Sequence, residues 1–264
     1  SKRKPIVVAL GDAQPGQVRL LQLRTFTSLP EFGHWLAEPH SWVGGFDLPF
    51  GLPRELVQTL GWPLEWAACM QHYAGLSRET IRDEFAAFCN ARPVGGKFAH
   101  RQTDGPAGSS PSMKWVNPPV AYMLHAGAPL LLEAGVSVYP MHQGDPDRVA
   151  LEAYPGMVAR SITRESYKND AKAMQTPARA AARAVILDAI ERGDYPHAIQ
   201  LDAGSFRQDL LDDASGDLLD AVLCALLAGW GWQRRDQQYG LPPCDALEGW
   251  IVGAPADTRP RFSD

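Results

Sequence analysis

The sequence predicts an α/β fold, and three observations carry that prediction. First, Trp42, Val43 and Phe46 suit a buried strand, and Gly44 and Gly45 let another element pack close to it. Second, two apolar strand-like runs end in a carboxylate followed by a Pro/Gly turn. One ends at Asp47, before Pro49, Gly51 and Pro53. The other ends at Glu152, before Pro155 and Gly156. In open α/β sheets the chemistry collects at such carboxyl ends. Third, strands of this kind alternate with long stretches of helical periodicity. Asp47 could equally cap its turn and do nothing more, as Asp often does.

Taken in order, Pro5 to Leu10 reads as a strand, Gly11 to Gly16 as turn chemistry and Gln17 to Phe26 as an alternating second strand, giving a hairpin. Leu29 to Leu36 is a short helix leading into the Asp47 strand. From Pro53 to about Asn90 the spacing of Leu56, Leu60, Ile81, Phe85 and Phe88 is helical, with Pro53 suited to a first helical position. Arg92 to Ser112 reads as a long polar loop rich in Gly and Pro, of the kind that is functional or disordered. Lys114 to Leu132 regains helical character around Asn117-Pro118-Pro119. Residues 53–135 are therefore expected to form a mostly helical insertion, or cap, within one domain spanning 1–264.

Beyond the insertion, Arg148 to Tyr154 is a strand, and Thr176 to Arg192 a helix with Thr176 as N-cap and Pro177 first. Glu248 to Val252 reads as a closing strand. Asp209 to Trp230 reads as one helix, on which spacings of four and three place Asp213, Asp217 and Asp220 on one face. Acids in a first turn complement the helix dipole, which accounts for Asp213 and Asp217 without any function. Asp220 lies deeper in the apolar segment, where an unpaired acid is expensive to bury. It is expected to be buried, to face the Asp47 strand end and to require a positive counter-charge.

Asp47, Glu152 and Asp220, with Asp217 as a fourth, thus form a candidate catalytic constellation. Carboxylates without Cys or His partners select hard cations such as Mg²⁺ or Mn²⁺. A pair of such ions can activate water and stabilise the leaving oxygen in phosphodiester cleavage. The same acids without metal could serve as general acid and base.

Five segments carry a resemblance: Phe46-Asp47-Leu48-Pro49-Phe50-Gly51-Leu52-Pro53, Asn117-Pro118-Pro119, Leu151-Glu152-Ala153-Tyr154-Pro155, Asp217-Leu218-Leu219-Asp220-Ala221 and Glu248-Gly249-Trp250-Ile251. In this order they resemble domain-of-unknown-function family 429, regarded as ribonuclease-H-like and predicted to contain nucleases. The resemblance implies a central mixed sheet with helices on both faces. It also implies a metal site in which Asp47 and Asp220 take the central-strand and late-helix positions and Glu152 matches a recurring glutamate. It further implies an acid-bearing first strand ahead of Ser1-Lys2-Arg3-Lys4-Pro5-Ile6. The chain opens at Ser1 rather than Met, so that strand is expected to be missing from it.

Among the basic residues, Arg160, Arg164 and Lys168 recur every four positions, which on a helix would be one face, and Arg179 and Arg183 make a second pair. Near an acidic metal site such groups hold phosphates; elsewhere they are a solvated face. Lys97, His100 and Arg101 sit in the Gly/Pro loop, well placed to close over a substrate. Lys97, Arg101, Arg160 and Lys168 are the candidate substrate contacts.

Composition narrows the partners. A net charge of −5 argues against broad, charge-driven nucleic-acid binding but leaves room for a local basic groove. No apolar run approaches the ~18 residues of a membrane span, and no signal peptide is visible. Cys69, Cys89, Cys224 and Cys244 are far apart, as expected of reduced thiols in the cytoplasm. Three functions remain in play. One is a metal-dependent nuclease or other phosphodiesterase. Another is a non-catalytic binding module using the Arg92–Ser112 loop. The third, disfavoured by the lack of a Gly-rich phosphate loop, is a phosphotransferase. The oligomeric state is not legible in the sequence.

Overall fold

An apolar run and a second, more alternating one build a hairpin from β1 (Ile6–Gln14) and β2 (Gln17–Phe26), paired antiparallel with a register shift between Leu10 and Gly11. The computed structural model describes residues 4–256. Ser28 caps α1 (Leu29–Ala37), its side chain accepting from the Glu31 amide. The chain then enters β3 (Trp42–Phe46).

Four helices follow: α2 (Arg54–Thr59), α3 (Trp66–Ala74), α4 (Arg78–Asn90) and the short α5 (Asp104–Ala107). Pro53, expected as the first helical residue, is instead the N-cap of α2, and the helix starts one position later at Arg54. The fifth helix of this region, α6 (Val120–Glu133), starts later than Lys114, after an irregular stretch that includes Asn117-Pro118-Pro119. The Arg92–Ser112 segment is not an open loop. It contains α5, and Arg101, Thr103, Asp104 and Ser112 are all buried.

The second sheet is completed by β4 (Val136–Val138) and β5 (Asp145–Glu152), and α7 (Pro155–Ile162) follows directly, so Pro155 starts a helix as well as ending a strand. Then come α8 (Pro177–Arg192), β6 (Gln200–Asp202), α9 (Arg207–Asp212) and α10 (Asp217–Trp232). Thr176 caps α8 as expected. The expected single helix over Asp209–Trp230 is broken. Gly216 adopts φ +74°, a left-handed conformation natural to glycine, and a fresh helix starts at Asp217. Asp213 is therefore not on one face with Asp217 and Asp220 but sits in the intervening turn. Glu248–Val252 is not a strand either; the Val252 amide donates once to the Glu152 carbonyl, at 2.8 Å.

The strands form two ladders, β1-β2-β6 and β3-β5-β4, where one central sheet was expected. Within the second ladder all pairings are parallel, and Phe46 lies opposite Glu152. Residues of β5 alternate between two cores. Val149 and Leu151 join the one built on α8 and α10, and Ala150 joins the one built on α2, α3, α4 and α6. The sheet is thus covered on both faces, an α/β arrangement. Gly45 explains how α10 comes so near β3: a Cβ there would lie 2.4 Å from the Cys224 carbonyl oxygen. Among the described residues no helix is long and apolar enough to cross a membrane, and the four cysteines are free.

Candidate functional site

Asp47 is the first residue beyond β3. The Leu48 amide donates to the Phe46 carbonyl at 2.9 Å, and the Ala153 amide, from the end of β5, donates to that carbonyl at 2.9 Å as well. These bonds fix the turn and project Asp47 toward the start of α10. There the Asp213 carboxylate accepts from the Leu218 amide at 2.8 Å, and the Ser215 hydroxyl donates to Asp217 at 3.0 Å. The break before α10 thereby sets Asp217 and Asp220 in a first helical turn, where the dipole favours acids. Asp217 also pairs with Lys4 at 2.8 Å.

Asp220 is buried, as its apolar helix implied, and its counter-charge is Lys168. One carboxylate oxygen accepts from the Lys168 ammonium and the other from the Tyr167 hydroxyl. The strap that carries these two residues is itself pinned. Arg183 donates to the Tyr167 carbonyl at 2.8 Å and Arg179 to the Lys168 carbonyl at 3.0 Å. The Asn169 amide reaches the Ala214 carbonyl at 3.1 Å. Arg179 and Arg183 therefore hold backbone rather than phosphate. α7 ends at Ile162 and Thr163 is extended, so Arg160, Arg164 and Lys168 do not share a helix face. They meet all the same, around a cleft of about 290 Å³ whose wall includes Asp47, Tyr154 and Tyr167. Arg160 lies over the Tyr154 ring at 4.9 Å from its centroid and donates to its hydroxyl at 3.0 Å.

The charges in this cluster disturb one another. Asp47 is reached by solvent, yet protein surrounds most of its carboxylate. That crowding and the negative charge of Asp220 push it up to about 7, against the pull of Lys168. Burial likewise raises Asp220 despite its bonds to Lys168 and Tyr167. For Lys168 burial works the other way, but the surrounding carboxylates outweigh it and hold the ammonium charged. The Cys224 thiol beneath is driven well above its usual range by burial and by Asp47 and Asp220, so it stays protonated.

Glu152 does not join this cluster. Its two oxygens take both terminal nitrogens of Arg101, each at 2.7 Å, and one also accepts from the Phe50 amide at 2.9 Å. Arg101 is further bound by Asp104 at 2.9 Å and by the Glu248 carbonyl at 3.1 Å. Glu248 in turn accepts from the Arg54 and Gln102 amides at 2.8 and 2.9 Å. The expected cation ligand is thus the acid of a dry, fully bonded arginine fork, and the expected substrate contact Arg101 is that fork. Lys97 stays exposed on the loop surface, away from these bonds.

Among the described residues no group of three or more His, Cys, Asp or Glu side chains is placed to hold a metal ion. No family model, curated protein or solved structure matches this chain. Its site must be read from its own residues. Tyr167 is the participant that sequence reasoning missed. A tyrosine that bonds a carboxylate 53 positions away leaves no local pattern in the sequence.

Proposed function

We propose that this chain is a phosphodiester-cleaving enzyme of ribonuclease-H-like fold that acts on nucleic acid in the cytoplasm with a hard divalent cation, Mg²⁺ or Mn²⁺. The observation that carries the reading is the juxtaposition of Asp47 and Asp220 with a cleft lined by Arg160, Arg164 and Lys168. Paired carboxylates next to cationic side chains suit a phosphate whose charge must be neutralised on one side and whose attacking oxygen must be activated on the other. An antiparallel hairpin, a parallel pair ending in Asp47 and a late helix laid across the sheet support the fold assignment. Four free thiols fit a reducing compartment.

The donors fit such a cation in kind: two carboxylates whose mutual repulsion it would relieve, beside a thiol that stays protonated. Asp47 and Asp220 would hold it, and bound there it supplies an activated water and charge neutralisation. The residues of the chain do the rest. Lys168 lies between Asp220 and the cleft, so its ammonium can pass from the carboxylate to a phosphate oxygen as substrate enters. Arg160, braced on Tyr154 and on the Ala107 and Gly108 carbonyls, orients the phosphate. Tyr167 keeps Asp220 in place while Lys168 moves. Asp217, already held by Lys4 and Ser215, flanks the site. A binding module working through the Arg92–Ser112 loop would have to do without Arg101, which is committed to Glu152.

Cleavage of DNA, RNA and bis(p-nitrophenyl) phosphate should be assayed with Mn²⁺ or Mg²⁺, beside Asp47→Asn. Hydrolysis that falls at least ~100-fold in the variant is expected, the scale on which removal of a transition-state stabiliser is felt. No hydrolysis of any of the three, or hydrolysis unaffected by the substitution, overturns the reading.

A further inference from the structure

The loop that carries the Arg101 fork leaves the core on both sides of α5, and its two flanks are stitched together. Asp104 accepts from Arg101 and from the Ser109 hydroxyl, at 2.9 Å each. The Ala99 amide donates to the Met113 sulfur at 3.3 Å. Next to that bond the Phe98 and Trp115 rings meet at 5.6 Å between centroids, tilted by 57°. Ala99 and Met113 are buried, whereas Phe98 and Trp115 are half-buried and Val116 beside them is 48% exposed. A lysine precedes each ring: Lys97, which is exposed, and Lys114, which is half-buried. Among the described residues neither lysine enters an ion pair. The Glu55 carboxylate, which reaches this loop, is already matched with Arg92. In a chain of net charge −5 the result is a local patch of two cations without counter-charge around two half-open aromatic rings.

We propose that this patch is a stacking platform for single-stranded nucleic acid, so that the substrate of the Asp47–Asp220 site is an unpaired strand; this rests on the phosphodiesterase reading. Two independent observations select that ligand. The first is the residue set. Bases lie against aromatic side chains only where they are not paired and stacked within a helix, and cations beside the rings take the phosphates. The second is the size of the cleft between Arg160 and Asp47, about 290 Å³. That is the volume of about ten water molecules at ~30 Å³ each. It has room for a phosphate with its sugar and none for a base-paired segment. Cleft and patch are joined by the chain itself. The Ala107 and Gly108 carbonyls accept from Arg160 in the cleft wall, both at 3.1 Å. From Gly108 to Trp115 the chain spans at most roughly 25 Å. A single strand covers that distance in no more than about seven nucleotides at a stacked rise of ~3.4 Å. The fork of Arg101 with Glu152 and Asp104 anchors the base of the platform in the core and touches no strand. Lys97 and Trp115 thereby hold the strand whose phosphate Arg160 orients.

The test is fluorescence anisotropy with labelled DNA and RNA in EDTA, which stops cation-dependent cleavage, so binding is read apart from hydrolysis. Single strands and duplexes of about twelve nucleotides, within the ~4–16 of known single-strand sites, are compared with a dinucleotide. The long single strands are expected to bind at least ~10-fold more tightly than either the duplexes or the dinucleotide. Trp115→Ala should weaken their binding on the order of tenfold, the scale of one stacked base, and leave the dinucleotide unaffected. The double variant Lys97→Gln/Lys114→Gln should lower the slope of log affinity against log salt by about 1.4, from ~0.7 for each single-strand phosphate. A urea midpoint checks that Trp115→Ala is folded, and the lysine variant decides the matter if it is not. Duplexes bound as tightly as single strands, single-strand binding that ignores both variants, or no binding of any oligonucleotide overturns the proposal. Platform-dependent binding without hydrolysis of any substrate would sustain it and sink the phosphodiesterase reading alone. Hydrolysis with binding indifferent to the platform would do the reverse.

Discussion

Asp47 and Glu152 end neighbouring parallel strands, yet their surroundings are opposite. Glu152 is sealed: a guanidinium fork, a backbone amide and burial leave it no capacity for another partner. Asp47 opens to solvent, faces a second carboxylate and, among the described residues, has no bonded cation of its own; Lys168 beside it is spent on Asp220. The difference teaches that a strand-end acid becomes a candidate for chemistry only where its counter-charge is movable. A buried Arg pair is fixed by five planar donors, while a half-exposed lysine on a flexible stem can be exchanged for a metal or for substrate.

The comparison breaks most visibly in stability. Arg101→Ala or Glu152→Ala leaves a buried partner unpaired and should cost about 3–5 kcal/mol, read as a lower urea midpoint. A loss below about 1 kcal/mol would show that the fork is not a structural core element. Asp220→Asn should be far milder, within about 1 kcal/mol, because Lys168 is partly solvated and a repulsion with Asp47 is removed. Unfolding of that variant would make the two clusters alike.

The pH dependence sharpens the contrast further. Asp47 is raised from its ordinary 3.8 to about 7, so in that window the folded state binds the extra proton. Its contribution to stability is present in full below 3.8 and is lost as pH rises through about 7. Asp47→Asn should flatten the stability profile across that range and leave the variant relatively more stable at pH 8. Asp245, lowered chiefly by its bond to Arg54, acts with the opposite sign: its contribution is present above the usual carboxylate range and lost in acid. Arg54→Gln should therefore weaken the protein at pH 7 more than at pH 3. The smallest effect belongs to Lys97→Ala, exposed on its loop, whose stability change should stay within about 0.5 kcal/mol.

Much of this contrast was open to a reading of the sequence, and the part that was not has a physical cause. The hairpin, α1, β3 and α8 follow from periodicity and caps, and Gly45 signalled the close approach that the Cys224 carbonyl makes. Asp220 was legible because a lone acid in an apolar helix needs a partner. The fork was hidden because its members are 51 and 147 positions apart and bring a Gly/Pro loop into the core. Nothing in Gly95, Gly96 or Pro106 distinguishes such a loop from a solvated one. The break at Gly216 was missed because Asp213, Asp217 and Asp220 fit helical spacing whether or not the helix is continuous. Arg160, Arg164 and Lys168 were grouped correctly for the wrong reason, since an extended strap brings them together and a helix does not.

The proposed chemistry requires that Asp47 carry a charge that a cation can settle. Carboxyl-carbon NMR titration of Asp47, with and without Mg²⁺, reads this directly. The predicted result is a midpoint near 7 in the metal-free protein that falls when Mg²⁺ is added, while Glu152 does not respond to the metal. An Asp47 midpoint close to 3.8 that ignores Mg²⁺ would contradict it.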